Sequence, residues 1–191
     1  MARALHLLGW STLFLAKEFA GGNCREPGLP AQISWVKRKG SRWQIEMEMA
    51  RRLRGLLREW HPDFVLFEPP GFRTLLPIFP SRGKRSSKPK LVLDIRTPPV
   101  GDFGLKGLIH WGNWLAGVLY AARMADGVTV ISEPLARFVR RFLPKDLPVG
   151  LWSSGVDEEK FNPRASKPVE IPLPPGKNVL LFYHGSIAWN R

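Results

Sequence analysis

The sequence predicts an α/β fold, a doubly wound and mostly parallel Rossmann-like sheet, and three observations predict it. Short, predominantly apolar runs recur along the chain, among them "FVLF" at 64–67, "LVL" at 91–93 and "VTVI" at 128–131, as expected of strands covered on both faces. Segments of helical period lie between them, at 43–60 and 105–124. The 18 prolines and 18 glycines supply the turns that such an alternation needs.

Taken in order, "ALHLL" (4–8) reads either as a short strand running into Gly9, with Ser11 capping a helix through Phe19, or as part of one helix over the whole stretch. "AQISWV" (31–36) reads as a strand followed by the basic turn "KRKGSR". Ile45, Met49, Leu53, Leu56, Leu57 and Trp60 recur at helical spacing, with Arg51, Arg52, Arg54 and Arg58 between them, so 43–60 is an amphipathic helix. His61-Pro62 ends it, and Phe64 to Phe67 is a strand too apolar for a sheet edge. "SRGKRSSKPK" (81–90) has no apolar side chain and is expected to be a solvated loop, followed by the strand "LVLDIRTPP" (91–99).

In the helix at 105–124, Leu108, Trp111, Leu115, Val118, Leu119 and Ala122 are expected to form one apolar face, weakened by Gly107, Gly112 and Gly117. "GVTVIS" (127–132) is a strand, and Ser132 caps a third helix carrying Leu135, Phe138, Val139 and Phe142. A further strand is expected within 149–157, a stiff proline-rich linker at 164–177, and a new strand from Asn178. No segment repeats at a fixed period.

A length of 191 residues with 44% apolar side chains and eight tryptophans suits one globular core plus a small piece of another. The single cysteine, Cys24, cannot form an internal disulfide, and His6, His61, His110 and His184 show no metal-ligand spacing, so no metal is expected and a reducing, cytoplasmic setting is. The N-terminal apolar stretch has the length of a signal-peptide core but lacks its cleavage site: cleavage after Ala16 or Ala20 would place Phe14 or Glu18 where a small residue is required. No run is long enough for a transmembrane helix. A formal charge of +13, from 29 Lys and Arg against 16 Asp and Glu, attracts polyanions: nucleic acid, anionic lipid or phosphorylated substrates.

Ligands of parallel α/β sheets sit beyond the carboxyl ends of the strands. Glu68, Asp94, Arg96, Ser132, Glu133, Ser153, Ser154 and Asp157 are the polar residues expected there. Each also suits a cap or turn, Ser132 above all. Arg96 is placed to hold a phosphate or carboxylate bidentately, or to pair with Asp94 or Asp102. The glycine fingerprints of dinucleotide and P-loop enzymes are missing, as are a G-x-S-x-G elbow and a Cys/His pair, so no catalytic residue is assigned. The aromatic residues lie on apolar helix faces instead of alternating with Lys and Arg, which disfavours nucleic acid as the partner.

"ADGVTVISEPLARFV" (125–139), "VGLWSSGVDEEKFNP" (149–163) and "VLLFYHGSIAWNR" (179–191) together resemble the family-4 type glycosyltransferases of the GT-B fold. The second segment carries the family's G-V-D-x-x-x-F-x-P as Gly155, Val156, Asp157, Phe161 and Pro163, and "EWHPDFVLFEPP" and "LVLDIRTPP" precede it in the expected order. The likeness runs from about residue 43 to the end, whereas 4–10 match the family's first strand and glycine-bearing loop poorly.

The resemblance implies a retaining, sugar-nucleotide-dependent glycosyltransferase of which residues 1–163 are the N-terminal, acceptor-side domain, 164–177 the linker and 178–191 the opening of a donor-binding domain. It implies that Gly185 and Ser186 form the turn against the donor diphosphate, and that the family's basic pair and Glu-x7-Glu element belong to the missing remainder of that C-terminal domain. The sugar nucleotide is a substrate, and no cofactor is expected. Glu68, Asp94, Arg96, Ser132 and Glu133 are then the candidates for binding a sugar acceptor, lipid-linked or free. Arg82, Lys84, Arg85, Lys88 and Lys90, with the basic turn at 37–42, form an expected patch for an anionic membrane surface, or serve solubility alone. The other function class is a non-catalytic basic α/β module that binds nucleic acid or membrane.

Overall fold

Leu91, Leu93 and Ile95 are fully buried, and the fold is arranged around the strand that carries them. The computed structural model describes residues 2–18, 31–80, 89–100 and 103–152. These belong to the first of two units, Met1–Ser153; the second, Ser154–Arg191, lies outside the described residues, and with it the expected linker, the strand from Asn178 and the tail of the 149–157 segment.

The expected α/β, parallel, Rossmann-like class is what the chain adopts. A small sheet pairs β1 (Leu13–Lys17) with β2 (Gln32–Val36), and a larger one runs β3 (Phe64–Phe67), β4 (Lys90–Ile95), β5 (Gly127–Val130), β6 (Val149–Leu151), in that order. Every pair is parallel. Parallel neighbours require crossovers, and right-handed crossovers between strands in sequence order place their helices on one face. That face holds the core: Phe67, Leu91, Leu93, Ile95, Val128 and Val130 from the sheet meet Leu75, Trp114, Val118, Ala121, Leu135 and Val139 from the helices. Each Val, Leu, Ile or Phe among them contributes about 1.5–3 kcal/mol by leaving water.

The helices are α1 (Ala2–Leu7), α2 (Arg42–Trp60), α3 (Phe72–Leu75), α4 (Gly104–Met124) and α5 (Glu133–Val139), with 3₁₀ turns at Pro69–Gly71 and Arg140–Phe142. α2 begins with a capping box: the Gln44 amide donates to Ser41 Oγ at 3.3 Å and the Ser41 amide to Gln44 Oε1 at 2.7 Å. It ends at His61, whose φ of 45° turns the chain ahead of Pro62. α5 is capped by Ser132, which accepts from the Leu135 amide at 3.4 Å.

Four sequence expectations change. Near the N-terminus a helix comes first and the strand second, because Gly9 (φ 81°) stops α1; residues 13–17 then pair with β2, where the alternative expected Ser11 to cap a helix. β3 lies at an edge of its sheet. Its apolar residues divide between the core (Phe67) and an open face, where Phe64 and Leu66 stay 44% and 43% exposed and Trp10 packs on the Phe64 ring. Lys90, expected in the solvated loop, is the first residue of β4, and its ammonium lies 3.9 Å from Asp126.

The fourth change concerns α4, which buries Gly107, Trp114, Gly117, Val118, Tyr120, Ala121 and Met124 and leaves Leu108, Trp111 and Leu119 exposed. Its packing face is chosen by close approach. A Cβ on Gly117 would stand 2.1 Å from the Pro69 carbonyl oxygen, so this glycine lets the helix touch the 3₁₀ turn after β3. Periodicity alone could not identify that face, since apolar residues occur around most of the helix.

Candidate functional site

The parallel strands deliver β3, β4 and β5 to a common carboxyl edge, which four segments leave: Glu68 after β3, Arg96 after β4, Ser132 and Glu133 after β5, and Trp152 after β6. The Trp152 amide extends the ladder by donating to the Val130 carbonyl at 2.7 Å.

Asp94 is the centre of this edge. The register Asp94–Thr129–Gly150 sets these residues side by side on the sheet face opposite the helical core. Asp94 is 7% exposed, and both its oxygens are engaged: Thr129 Oγ1 donates to Oδ1 at 2.8 Å, and Arg96 Nε donates to Oδ2 at 2.8 Å. A buried carboxylate needs a counter-charge and donors, and here one neighbour of each kind is present. Of the two sequence alternatives for Arg96, the ion pair with Asp94 is therefore made, while Asp102 is outside the described residues.

The pair does not use up the arginine. It occupies Nε, and among the described residues no other bond to the Arg96 guanidinium is made; the side chain remains 32% exposed. A planar guanidinium fixed at Nε presents its terminal nitrogens as a fork for an anion. Asp94, expected to face the crevice as a binding group, instead lies inside β4 and holds Arg96.

The other sequence candidates divide by environment. Glu68 is exposed, and its carbonyl accepts from the Gly71 amide at 2.8 Å to start the 3₁₀ turn. Ser132 uses its hydroxyl as the α5 cap, and Glu133 opens that helix in an exposed position. Among the described residues no side-chain bond joins these three to the Asp94–Arg96 pair. Gly185, Ser186, Arg82, Lys84, Arg85, Lys88, Ser153, Ser154 and Asp157 are outside the described residues.

Two features escaped the sequence reading. Thr129 alternates apolar and polar neighbours like any strand residue, and only the register reveals it as the second donor to Asp94. At the carboxyl end of β1, Lys17 Nζ lies 2.6 Å from Glu46 Oε1, and Thr74 Oγ1 donates to Glu46 Oε2 at 2.9 Å, so α2 ties the small sheet to α3. Burial pushes the Glu46 carboxyl up, but the bonds from Lys17 and Thr74 and the charges of Lys17 and Arg42 outweigh it and hold it below its ordinary value. No sequence signal links residues 17, 46 and 74, because their meeting depends on how the two sheets pack.

A cleft of about 220 Å³ opens at the opposite end of the small sheet, lined by Leu13, Gln32, Ser34, Arg52, Leu56 and Trp60. There Arg52 Nε donates to the buried Ser34 hydroxyl at 2.7 Å, so the charged group is engaged in joining α2 to β2. No family model, no curated protein and no solved structure matches the chain.

Proposed function

We propose that the chain is the acceptor-side half of a retaining, sugar-nucleotide-dependent glycosyltransferase, working at the cytoplasmic surface of a membrane. The observation that supports this most is the Thr129–Asp94–Arg96 chain at the carboxyl edge of a parallel sheet. It fixes one end of a guanidinium and leaves the other for a ligand, at the place where this class of sheet binds ligands. The sequence resemblance supplies the reaction. Transfer must stabilise a departing nucleoside diphosphate and a cationic sugar carbon, which preorganised positive groups do best in a cleft closed to water. In this division of labour the donor diphosphate belongs to the second domain, and Arg96 takes an anionic group of the acceptor, such as the phosphate of a lipid-linked sugar. Glu68 and Glu133 line the same edge and are the candidates for the acceptor's hydroxyls.

Calorimetric titration of the 191-residue chain with a short-chain prenyl diphosphate carrying one sugar tests the reading. Saturable binding is expected, weakened by about tenfold or more in Arg96→Ala, the loss typical of a charge-assisted bond. Equal affinity of the two proteins, or tighter binding of duplex DNA than of the lipid-linked sugar, would reject it in favour of a basic binding module.

A further inference from the structure

α4 is apolar on two opposite sides. One side is the core; on the other, Leu105, Leu108 and Ile109 follow one another at i, i+3 and i+4 and remain 74%, 70% and 52% exposed. Phe103, just before the helix, is 88% exposed, and the exposed Gly112 and Leu119 continue the ridge toward the helix C-terminus. Scattered exposed leucines are ordinary, but a contiguous apolar ridge marks a surface that is covered in use.

The neighbours of the ridge indicate what covers it. Lys106 is exposed on α4 itself. On one flank α3 presents Arg73, bonded to Asn113 of α4. On the other, Trp111 packs against Phe138, whose neighbour in sequence, Arg137, is exposed, as is Arg141, three residues after the phenylalanine. Acidic side chains are missing from α4 altogether. An apolar ridge bordered by cations matches the acyl chains and anionic headgroups of a lipid surface, whereas a protein partner of mixed charge would be matched by both signs. Among the described residues no helix is long and apolar enough to cross a membrane.

From this charge complementarity we infer that the amino-terminal half of α4 docks in the plane of an anionic bilayer, with Leu105, Leu108 and Ile109 among the acyl chains and Arg73, Lys106, Arg137 and Arg141 at the headgroups. α4 is the helix that follows β4 in the chain and so starts on the side of the sheet where β4 ends and Arg96 emerges; docking there turns the candidate crevice toward the lipid surface. Docking itself is independent of sugar transfer: it holds or fails whether or not Arg96 binds an acceptor.

Co-sedimentation of the whole chain with phosphatidylcholine vesicles, with and without phosphatidylglycerol, tests the inference. Binding is expected to require phosphatidylglycerol, and to fall by about tenfold or more when Leu105, Leu108 and Ile109 are together replaced by serine. These side chains are exposed, so circular dichroism and melting temperature should match the parent protein and certify the fold. A second variant, Arg137→Ser with Arg141→Ser, should also weaken binding and flatten its salt dependence. Three outcomes would overturn the inference: no vesicle binding by the parent chain; binding that the triple variant retains but that is lost on replacing Arg82, Lys84, Arg85 and Lys88; or self-association, removed by the triple variant, in a protein that ignores vesicles.

Discussion

Asp94 shows how a residue inside a strand can position a neighbour that leaves it. Its carboxylate stands between Thr129 and Arg96, and its burial makes both bonds matter. Thr129→Val keeps the shape but removes a donor to a charged acceptor, which should cost about 1.5–3 kcal/mol in chemical denaturation. An unchanged midpoint would mean that water replaces the hydroxyl. Glu46 gives a pH signature. Its carboxyl titrates below the ordinary 4.5 in the fold, so it contributes stability that is present above the unfolded value and is lost as pH falls through the folded one. Melting temperature should therefore drop on acidification below about pH 4.5, and Glu46→Gln should lack part of that drop. Identical pH profiles would remove the Lys17–Glu46–Thr74 cluster from the account. Trp114 is a third case: it is buried among Trp111, Phe138 and Phe142, and its Nε1 finds no hydrogen-bond acceptor among the described residues. Trp114→Phe, which removes the stranded donor and keeps a ring, should stay within about 1–2 kcal/mol of the parent, whereas Trp114→Ala should lose about 3–5 kcal/mol.

At the scale of elements, two glycines in α4 should behave oppositely. Gly117→Ala drives a methyl into the Pro69 carbonyl and separates the helix from the 3₁₀ turn, for a loss of about 1–3 kcal/mol or more. Gly112→Ala adds a methyl in open space within the same helix, so propensity alone acts and a gain of about 0.5–1 kcal/mol is expected. Denaturation midpoints that move the same way for both would contradict the packing described. The contrast also shows what the sequence conveyed. The strands at 64–67 and 127–130 and the helices at 42–60 and 104–124 were legible because apolar runs and helical spacing are local properties. The rotation of α4 was not, since a helix apolar on two sides offers no single periodic face and the choice fell to Gly117 against Pro69. Nor was the strand at 13–17, because "HLLGWSTLFLA" is apolar enough for either state and the outcome rests on Gly9 and on pairing with β2. Arg96 was legible as a residue leaving a strand; Thr129, its partner through Asp94, was hidden in the register.

For the whole molecule, burial ranks β4 and β5 as the most stable part. Leu91, Leu93, Ile95 and Val130 are fully covered, while β3 and β6 are edges. Amide exchange should thus be slowest at Leu93 and Val128 and faster at Leu66 and Leu151. Such a gradient leaves a rigid strand, β4, directly beneath Arg96, which suits a site that holds its ligand in one geometry. It also sets the charge of +13 in context: if the protein were only a polyanion binder, no particular edge of the sheet would be favoured. The proposed acceptor site lies at that edge. Chemical-shift mapping of the 191-residue chain with a sugar-bearing short-chain prenyl diphosphate and, separately, with duplex DNA tests it most directly. The predicted result is perturbation by the lipid-linked sugar concentrated at Glu68, Arg96, Thr129 and Ser132 and needing about tenfold or more ligand in Arg96→Ala, with DNA giving weak shifts spread over the basic surface. Strong shifts from DNA, or lipid-linked sugar shifts that avoid the carboxyl ends of β3 to β5, would contradict it.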